Sequence, residues 1–254
     1  MEVRGLCKRY GEVDAVDDLS FSVGAGEVVG FLGPNGAGKT TTMRMLTGFV
    51  PPTDGSVSIA GHDILSEPLA ARRAIGYLPE TPPLYPEMSV EGYLGFVASI
   101  KDVPRAGRKR AVDRALGRCG LADVRRRIIG QLSKGYRQRV GLAQAIVHDP
   151  AVLILDEPTV GLDPIQIREI RSLIAELASA GEGGQGQTII LSTHILPEVE
   201  AICQRVILIS AGRKAVDEPL SELTSGGRSL EALFGRVTSR DGDATVEAAG
   251  EGGA

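Results

Sequence analysis

The stretch Gly33-Pro34-Asn35-Gly36-Ala37-Gly38-Lys39-Thr40, continued by Thr41, has the residue types and spacing of a phosphate cradle, G-x-x-x-x-G-K-[ST]. Glycines at 36 and 38 let the backbone curl until successive N–H groups face one anion. The N-terminus of a following helix adds its positive dipole end. Lys39 supplies a point charge for β- and γ-phosphates, and the Thr40 hydroxyl is a hard oxygen ligand for Mg²⁺. A second pair, Asp156 and Glu157, closes the apolar run that starts at Val152. An acid at the C-terminal end of a parallel strand stands where open α/β sheets bind ligands. There Asp156 would hold Mg²⁺ through water, and Glu157 would orient or deprotonate an attacking water. Alone, two acids ending a strand read as solvated loop residues. Paired with a phosphate loop, they read as phosphate chemistry.

These groups need strands and helices to carry them. Val28–Leu32, Val152–Leu155, Thr188–Leu191 and Val206–Ile209 are short aliphatic runs that predict buried strands. The phosphate loop lies between the first of them and an apolar-periodic segment with Met43 and Leu46. Asp163-Pro164 predicts a helix start, the carboxylate capping and proline in the first turn. Ile167, Ile170, Ile174 and Leu177 then recur at helical spacing, until the Gly-rich stretch Gly181–Gly186. Strand, helix, strand in this order predicts a parallel sheet covered by helices. The N-terminal part differs. Met1–Val23 and Ser56–Ala60 predict short antiparallel strands, with turns at Gly11, Gly24-Ala25-Gly26 and Asp54-Gly55. Residues 87–149 carry a mostly helical pattern rich in arginine. Arg240–Ala254 is Gly-, Ala- and acid-rich, which predicts a disordered tail. There is neither an internal repeat nor a heptad pattern.

Composition narrows the function classes. The chain has 254 residues, 43% hydrophobic and 24% charged, enough for a packed core in one or two domains. A net charge of −4 disfavours a non-specific nucleic-acid coat, and 4% aromatics with no Trp disfavours a base-stacking platform. Cys7, Cys119 and Cys203 are odd in number and form no C-x-x-C, which predicts reduced, mostly buried thiols. The N-terminus lacks the apolar core of a signal peptide, and no apolar run approaches the ~20 residues that span a bilayer. Any membrane-spanning helices must then come from another chain. His62 and His148 lack metal-ligand spacing and read as structural or surface residues. Arg105, Arg108, Lys109, Arg110, Arg114 and Arg125–Arg127 read as a solvated face.

Between the two phosphate motifs lies Leu132-Ser133-Lys134-Gly135-Tyr136-Arg137-Gln138-Arg139. After them come Gly161-Leu162-Asp163-Pro164 and Leu191-Ser192-Thr193-His194. The motifs in this order, from Met1 to about Gly212, resemble the ABC-type ATPases, the nucleotide-binding subunits of ABC transporters. The resemblance implies a P-loop NTPase (RecA-like) α/β core with an N-terminal antiparallel β-subdomain and an inserted helical subdomain. It implies ATP and Mg²⁺ as ligands and ATP hydrolysis as the activity. Tyr10 would stack on adenine, and Gly33 through Thr41 would bind the phosphates. Thr40, Asp156 and Glu80 would serve the metal. Glu157 and His194 would act with Lys39 in hydrolysis. Ser133, Lys134, Gly135 and Tyr136 form the signature loop, which contacts ATP bound to the opposite subunit, and Gly161, Leu162 and Asp163 form the loop that crosses the dimer interface.

Three positions depart from the family pattern: Lys134 and Tyr136 alter a signature usually written LSGGQ, and Glu80 in Gly76-Tyr-Leu-Pro-Glu80 stands for the usual glutamine. These flavours are similar to the exporter branch that includes gliding-motility and drug- or antibiotic-exporter subunits, with an importer subunit as the nearer rival. The resemblance implies an ATPase domain over 1–225, its helical subdomain over about 87–149, and a short extension over 226–254. It also implies an integral membrane permease as partner, a homo- or heterodimer of ATPase subunits, no nucleic acid, and a place on the cytoplasmic face of the membrane. In the family the apolar, Pro-rich stretch Thr81–Met88 faces the membrane subunit. Ribosomal ABC ATPases resemble tandem cassettes, and this chain has one phosphate loop. Chromosome ATPases insert a coiled coil for which Thr40 to Ser133 leaves no room. A small-molecule phosphotransferase would need neither a signature loop nor His194.

Overall fold

A computed structural model describes residues 1–179, 186–224 and 229–237. In chain order the elements begin with β1 (Glu2–Tyr10), β2 (Val13–Ser22), β3 (Val28–Leu32), α1 (Lys39–Leu46), β4 (Asp54–Ile59), β5 (His62–Asp63), α2 (Pro68–Arg73) and β6 (Ile75–Leu78). There follow α3 (Val90–Ile100), α4 (Arg105–Arg118), α5 (Lys134–Ile146), β7 (Val152–Asp156), α6 (Pro164–Ser179), β8 (Thr188–Thr193) and α7 (Leu196–Ile202). The series closes with β9 (Arg205–Ser210), β10 (Arg213–Pro219) and α8 (Leu220–Leu223). Residues 230–237 are also helical, and Leu230 is fully buried. Two expectations lie outside the described residues: the disordered tail over 240–254 and most of the Gly-rich stretch after α6.

The four aliphatic runs form the centre of a six-stranded sheet, ordered β10-β9-β3-β8-β7-β6. All neighbours are parallel except β10, which returns antiparallel to β9. Every residue of β3, β7 and β8 is buried, as expected of strands covered on both faces. Alternation decides which side each residue serves. Val28, Leu32, Leu153, Leu155, Ile189 and Leu191 pack with α3–α7. Val29, Phe31, Val152, Ile154 and Ile190 pack with α1 and a second, four-stranded antiparallel sheet ordered β2-β1-β4-β5. The parallel sheet therefore has α3–α7 on one face and, on the other, α1 together with the N-terminal sheet.

Register sets the site. Leu32 pairs with Thr193 and Asp156 with Ser192, so the ends of β3, β7 and β8 lie side by side at one edge. The phosphate loop, the acids and His194 all leave the sheet there.

Three sequence expectations differ from the structure. First, β1 and β2 run nine and ten residues rather than forming short strands. Second, Asp54-Gly55 opens β4 instead of making a turn. Gly55 has φ +86°, and a Cβ there would collide with the Gly5 carbonyl of bulged β1, so close approach of two backbones explains the glycine. Third, β6 and β10 did not read as strands. β6 is four residues long and contains Gly76, where a side chain would strike the Ala145 carbonyl of α5. β10 is a polar edge strand made by a hairpin at Ala211-Gly212, both with positive φ.

Residues 87–149 are helical as expected, interrupted by two short 3₁₀ turns. Ser89 caps α3 by accepting from the Gly92 N–H. The arginine-rich face is partly structural. Arg125 bridges Glu91 at 2.6 Å and Asp113 at 3.1 Å, tying the segment before the signature loop to α3 and α4.

Candidate active site

β3 ends at Leu32, and the chain curls at once. A Cβ at Gly33 would lie 2.7 Å from the Ile209 carbonyl oxygen. Gly36 has φ +83° and Gly38 φ +97°; a Cβ on Gly38 would also collide with the Ala15 carbonyl. Only glycine satisfies both demands at position 38. Ala37 is buried, and its N–H donates to the Pro34 carbonyl at 3.2 Å. Lys39 opens α1 with its side chain buried. Its Nζ donates to the Gly33 and Pro34 carbonyls at 2.8 and 3.1 Å and lies 3.7 Å from Glu157 Oε1. Burial pushes the ammonium below its ordinary range, and the charges of Glu157, Asp156 and Glu80 oppose that shift. The cation is thus held by carbonyls and balanced by acids.

Asp156 is 1% exposed. Its Oδ1 accepts from the Ser192 hydroxyl at 2.8 Å, the pair that β7–β8 register places opposite each other. Its Oδ2 is buried without a hydrogen-bond partner. Burial raises the Asp156 carboxyl above its usual range, and the Ser192 and Thr40 hydroxyls pull the other way. Glu157 stands at φ +49°, a strained conformation for a residue with a side chain. Its N–H donates to the Ser192 carbonyl at 2.8 Å, and His194 Nδ1 meets its two oxygens at 2.9 and 3.0 Å.

Asn35, Gly36, Gly38, Lys39, Thr40, Thr41, Glu80, Glu157 and His194 line one cavity of about 390 Å³. Ala15 and Val160 complete its wall, and nothing in their sequence surroundings marks them. Tyr10 is not part of this wall. It ends β1 half exposed, with Lys8 Nζ 5.2 Å above its ring.

The signature residues lie elsewhere. Ser133, Gly135, Tyr136 and Asp163 line a separate cavity of about 380 Å³ with Gln166 and Arg139. Ser133 caps α5 by accepting from the Tyr136 N–H at 3.3 Å. Asp163 caps α6, as the sequence predicts, accepting from the Ile165 and Gln166 N–H groups at 2.9 Å. The Lys134 ammonium reaches over Gly161, whose φ is +68°. Leu162 packs half-buried against the core. Buried Gln138 was not singled out in the sequence, yet its Nε2 donates at 2.8 Å to the carbonyl of Pro158, the residue after Glu157. One buried bond therefore joins the signature helix to the acidic segment.

A parallel sheet whose strand ends carry a glycine-rich phosphate loop, a metal-type aspartate and a glutamate–histidine pair defines a P-loop ATPase. Comparison with known proteins places it further. Residues 16–160 match the ABC transporter family. The chain is 40% identical over 223 residues to the bacitracin transport ATP-binding protein BcrA of Bacillus licheniformis, covering 88% of this chain and 71% of that one. It is 38% identical over 221 residues to the Nod factor export ATP-binding protein I of Burkholderia orbicola, covering 85% and 70%. A solved ATP-binding subunit of an ABC transporter superposes with a TM-score of 0.82 at 32% identity, covering 93% and 98% of the two chains. The chain belongs to the ABC transporter family, and it is an ATP-binding, ATP-hydrolysing subunit. Among the described residues, no helix is long and apolar enough to cross a membrane.

Proposed function

We propose that this chain powers export, working as one half of a head-to-tail pair that encloses two ATP molecules. The observation that carries this reading is the separation of the two cavities. The first holds the phosphate loop, Glu80, Glu157 and His194. The second holds the N-terminus of α5, whose positive dipole end suits an anion. A second subunit turned head to tail brings one cavity of each kind together. Two copies of this chain, or this chain and a similar one, satisfy that arrangement.

Within each joined site, the N–H groups from Gly33 to Thr41 and the Lys39 ammonium hold the β- and γ-phosphates, and Tyr10 stacks on adenine. Thr40, Asp156 and Glu80 would hold Mg²⁺, and the buried, unpartnered Asp156 Oδ2 fits that role. When bound, the ion neutralises charge on the β- and γ-phosphate oxygens. Glu157 accepts a proton from the water that attacks the γ-phosphorus; the bond to the β-phosphate oxygen breaks, leaving ADP and phosphate. His194, bonded to both Glu157 oxygens, fixes that carboxylate and reaches the γ-phosphate. Ser133, Lys134, Gly135 and Tyr136 act on the partner's nucleotide, with Gly161, Leu162 and Asp163 at the interface.

The ATPase unit spans 1–225 with its helical part over about 87–149, and 226–254 is an extension of it. The direction of transport rests on similarity to a Nod factor exporter and on the GYLPE, LSKGYRQR and GLDP flavours of the drug-exporter and gliding-motility branch. A separate integral membrane permease supplies the pathway, with this chain on the cytoplasmic face. The stretch after Glu80 is the docking surface, since Thr81, Pro82, Leu84 and Pro86 line a common groove and Tyr85 is exposed.

Tagged Glu157→Gln chain, incubated with ATP and solubilised membranes, tests the proposal. The expected result is a closed dimer that co-purifies a polytopic membrane protein. A dimer that captures none would leave the ATPase and remove the transporter partner.

A further inference from the structure

Behind the Glu157–His194 contact lies a buried carboxylate that belongs to none of the motifs. Glu198, in the first turn of α7, is 1% exposed. One of its oxygens accepts from the Thr159 hydroxyl. The other accepts from the Thr193 hydroxyl at 3.0 Å, and Thr193 Oγ1 in turn accepts from the Ile195 N–H at 3.1 Å. Thr159 is two residues past Glu157, and Thr193 directly precedes His194. The Arg171 guanidinium of α6, the helix that Asp163 caps, lies 3.9 Å from Glu198 Oε1.

Glu198 thus holds three segments at once: the loop after the base, the strand end before the histidine, and the helix that follows the interface loop. A buried carboxylate is tolerated only while its partners stay in place, because desolvation penalises an unpaired charge. Displacing any one segment costs this charge a partner, which couples the three segments. Glu198 does not line the phosphate cavity and touches no reacting atom.

We infer that Glu198 is a positioning residue for hydrolysis, which clamps Thr159 and Thr193 so that Glu157 and His194 stay aligned. This rests on the reading of Glu157 and His194 as the groups that act at the γ-phosphate.

The test measures ATP affinity by nucleotide titration, together with kcat and KM. The variants are Glu198→Ala, Glu198→Gln, Thr193→Val, Glu157→Gln, and Glu198→Ala combined with Glu157→Gln. Glu198→Ala is expected to lower kcat by about 10- to 100-fold while ATP affinity holds within about twofold, as misalignment by a fraction of an ångström does. Glu198→Gln keeps the shape and one acceptor and should recover most of that loss. Adding Glu198→Ala to Glu157→Gln should cost nothing more, because residues acting as one unit are not additive. Should Glu198→Ala fail to fold, near-isosteric Thr193→Val carries the test with a smaller fall in kcat at unchanged affinity.

Wild-type kcat in Glu198→Ala or in Thr193→Val would overturn the inference. So would a parallel loss of kcat and ATP affinity that Glu198→Gln shares, or a fully multiplicative loss in the double variant. Loss in Glu157→Gln with none in Glu198→Ala removes this inference and leaves the base assignment. Wild-type turnover in Glu157→Gln removes both.

Discussion

The phosphate cavity and the signature cavity are nearly equal in size and opposite in construction. The first is built on strand ends that carry three almost fully buried charged groups: Lys39 and Glu157 in its wall, and Asp156 in an adjoining groove that shares Thr40 and Glu80. Each is compensated by a carbonyl, a hydroxyl or an opposite charge. The second is built on helix starts, and its polar side chains Ser133 and Asp163 are exposed and engaged as caps. The difference teaches where chemistry and where recognition reside. Buried charges keep their geometry only inside a scaffold that over-determines them, which suits bond breaking. An exposed helix N-terminus presents N–H groups to whatever anion arrives, which suits closing on a partner's nucleotide.

The strongest challenge to this contrast is Glu157→Gln. It should bind ATP with little change and accumulate as a dimer, and its turnover should fall by about 10²-fold or more if Glu157 is the base. Steady-state phosphate release and gel filtration read both effects. Wild-type hydrolysis would exclude the role.

Lys39→Ala comes next. It removes a charged donor from the phosphates and leaves Glu157 without its neighbouring cation. ATP affinity should weaken by roughly 10- to 100-fold, the range for hydrogen bonds to charged groups. Unchanged affinity in a nucleotide titration would count against the phosphate loop.

Ser133→Ala sharpens the comparison from the other side. Loss of the cap should cost about 1 kcal/mol of stability, readable as a small drop in Tm. ATP affinity of the isolated chain should not change, since Ser133 lies outside the phosphate cavity, while turnover should fall. Weaker ATP binding by the monomer would break the division between the cavities.

The effect that is smallest at neutral pH, and grows only in acid, concerns the scaffold that joins them. His148, just past the end of α5, is largely buried; its Nε2 meets the Ile75 carbonyl at 3.0 Å, and its Nδ1 has no partner. Burial, aided by the Lys101 charge, lowers its pKa from 6.5 to about 4. The folded state therefore binds fewer protons than the unfolded chain between those values. Stability from this group is fully present above pH 6.5 and is lost as pH falls toward 4, by up to about 3 kcal/mol. His148→Gln should flatten the stability–pH curve over that window in chemical denaturation. An unaltered slope would show that His148 does not carry it.

The sequence made the first cavity legible because phosphate binding forces glycine, lysine and threonine into a fixed spacing. Strand ends marked by Asp156 and Thr193 were legible too, through continuous aliphatic runs. Residues recruited only by tertiary packing were not. Ala15 enters the cavity because its carbonyl faces Gly38; Gln138 reaches Pro158, 20 residues on, and Glu198 reaches Thr159, 39 residues back. β6 stayed hidden because Gly76, needed for close packing of α5, reads as a loop signal. The arginines before the signature read as a solvated face, because the Arg125 bridges to Glu91 and Asp113 exist only once α3 and α4 pack.

The central claim is that one chain's first cavity works with another chain's second. Mixing two variants, each inactive alone, tests it most directly: Glu157→Gln, which disables the first cavity, and Ser133→Arg, which blocks the second. In a head-to-tail heterodimer one of the two joined sites then carries both defects and the other carries none. The account predicts that mixing restores ATP hydrolysis, up to roughly a quarter of the wild-type rate for random pairing. A mixture no more active than its separate components would contradict it.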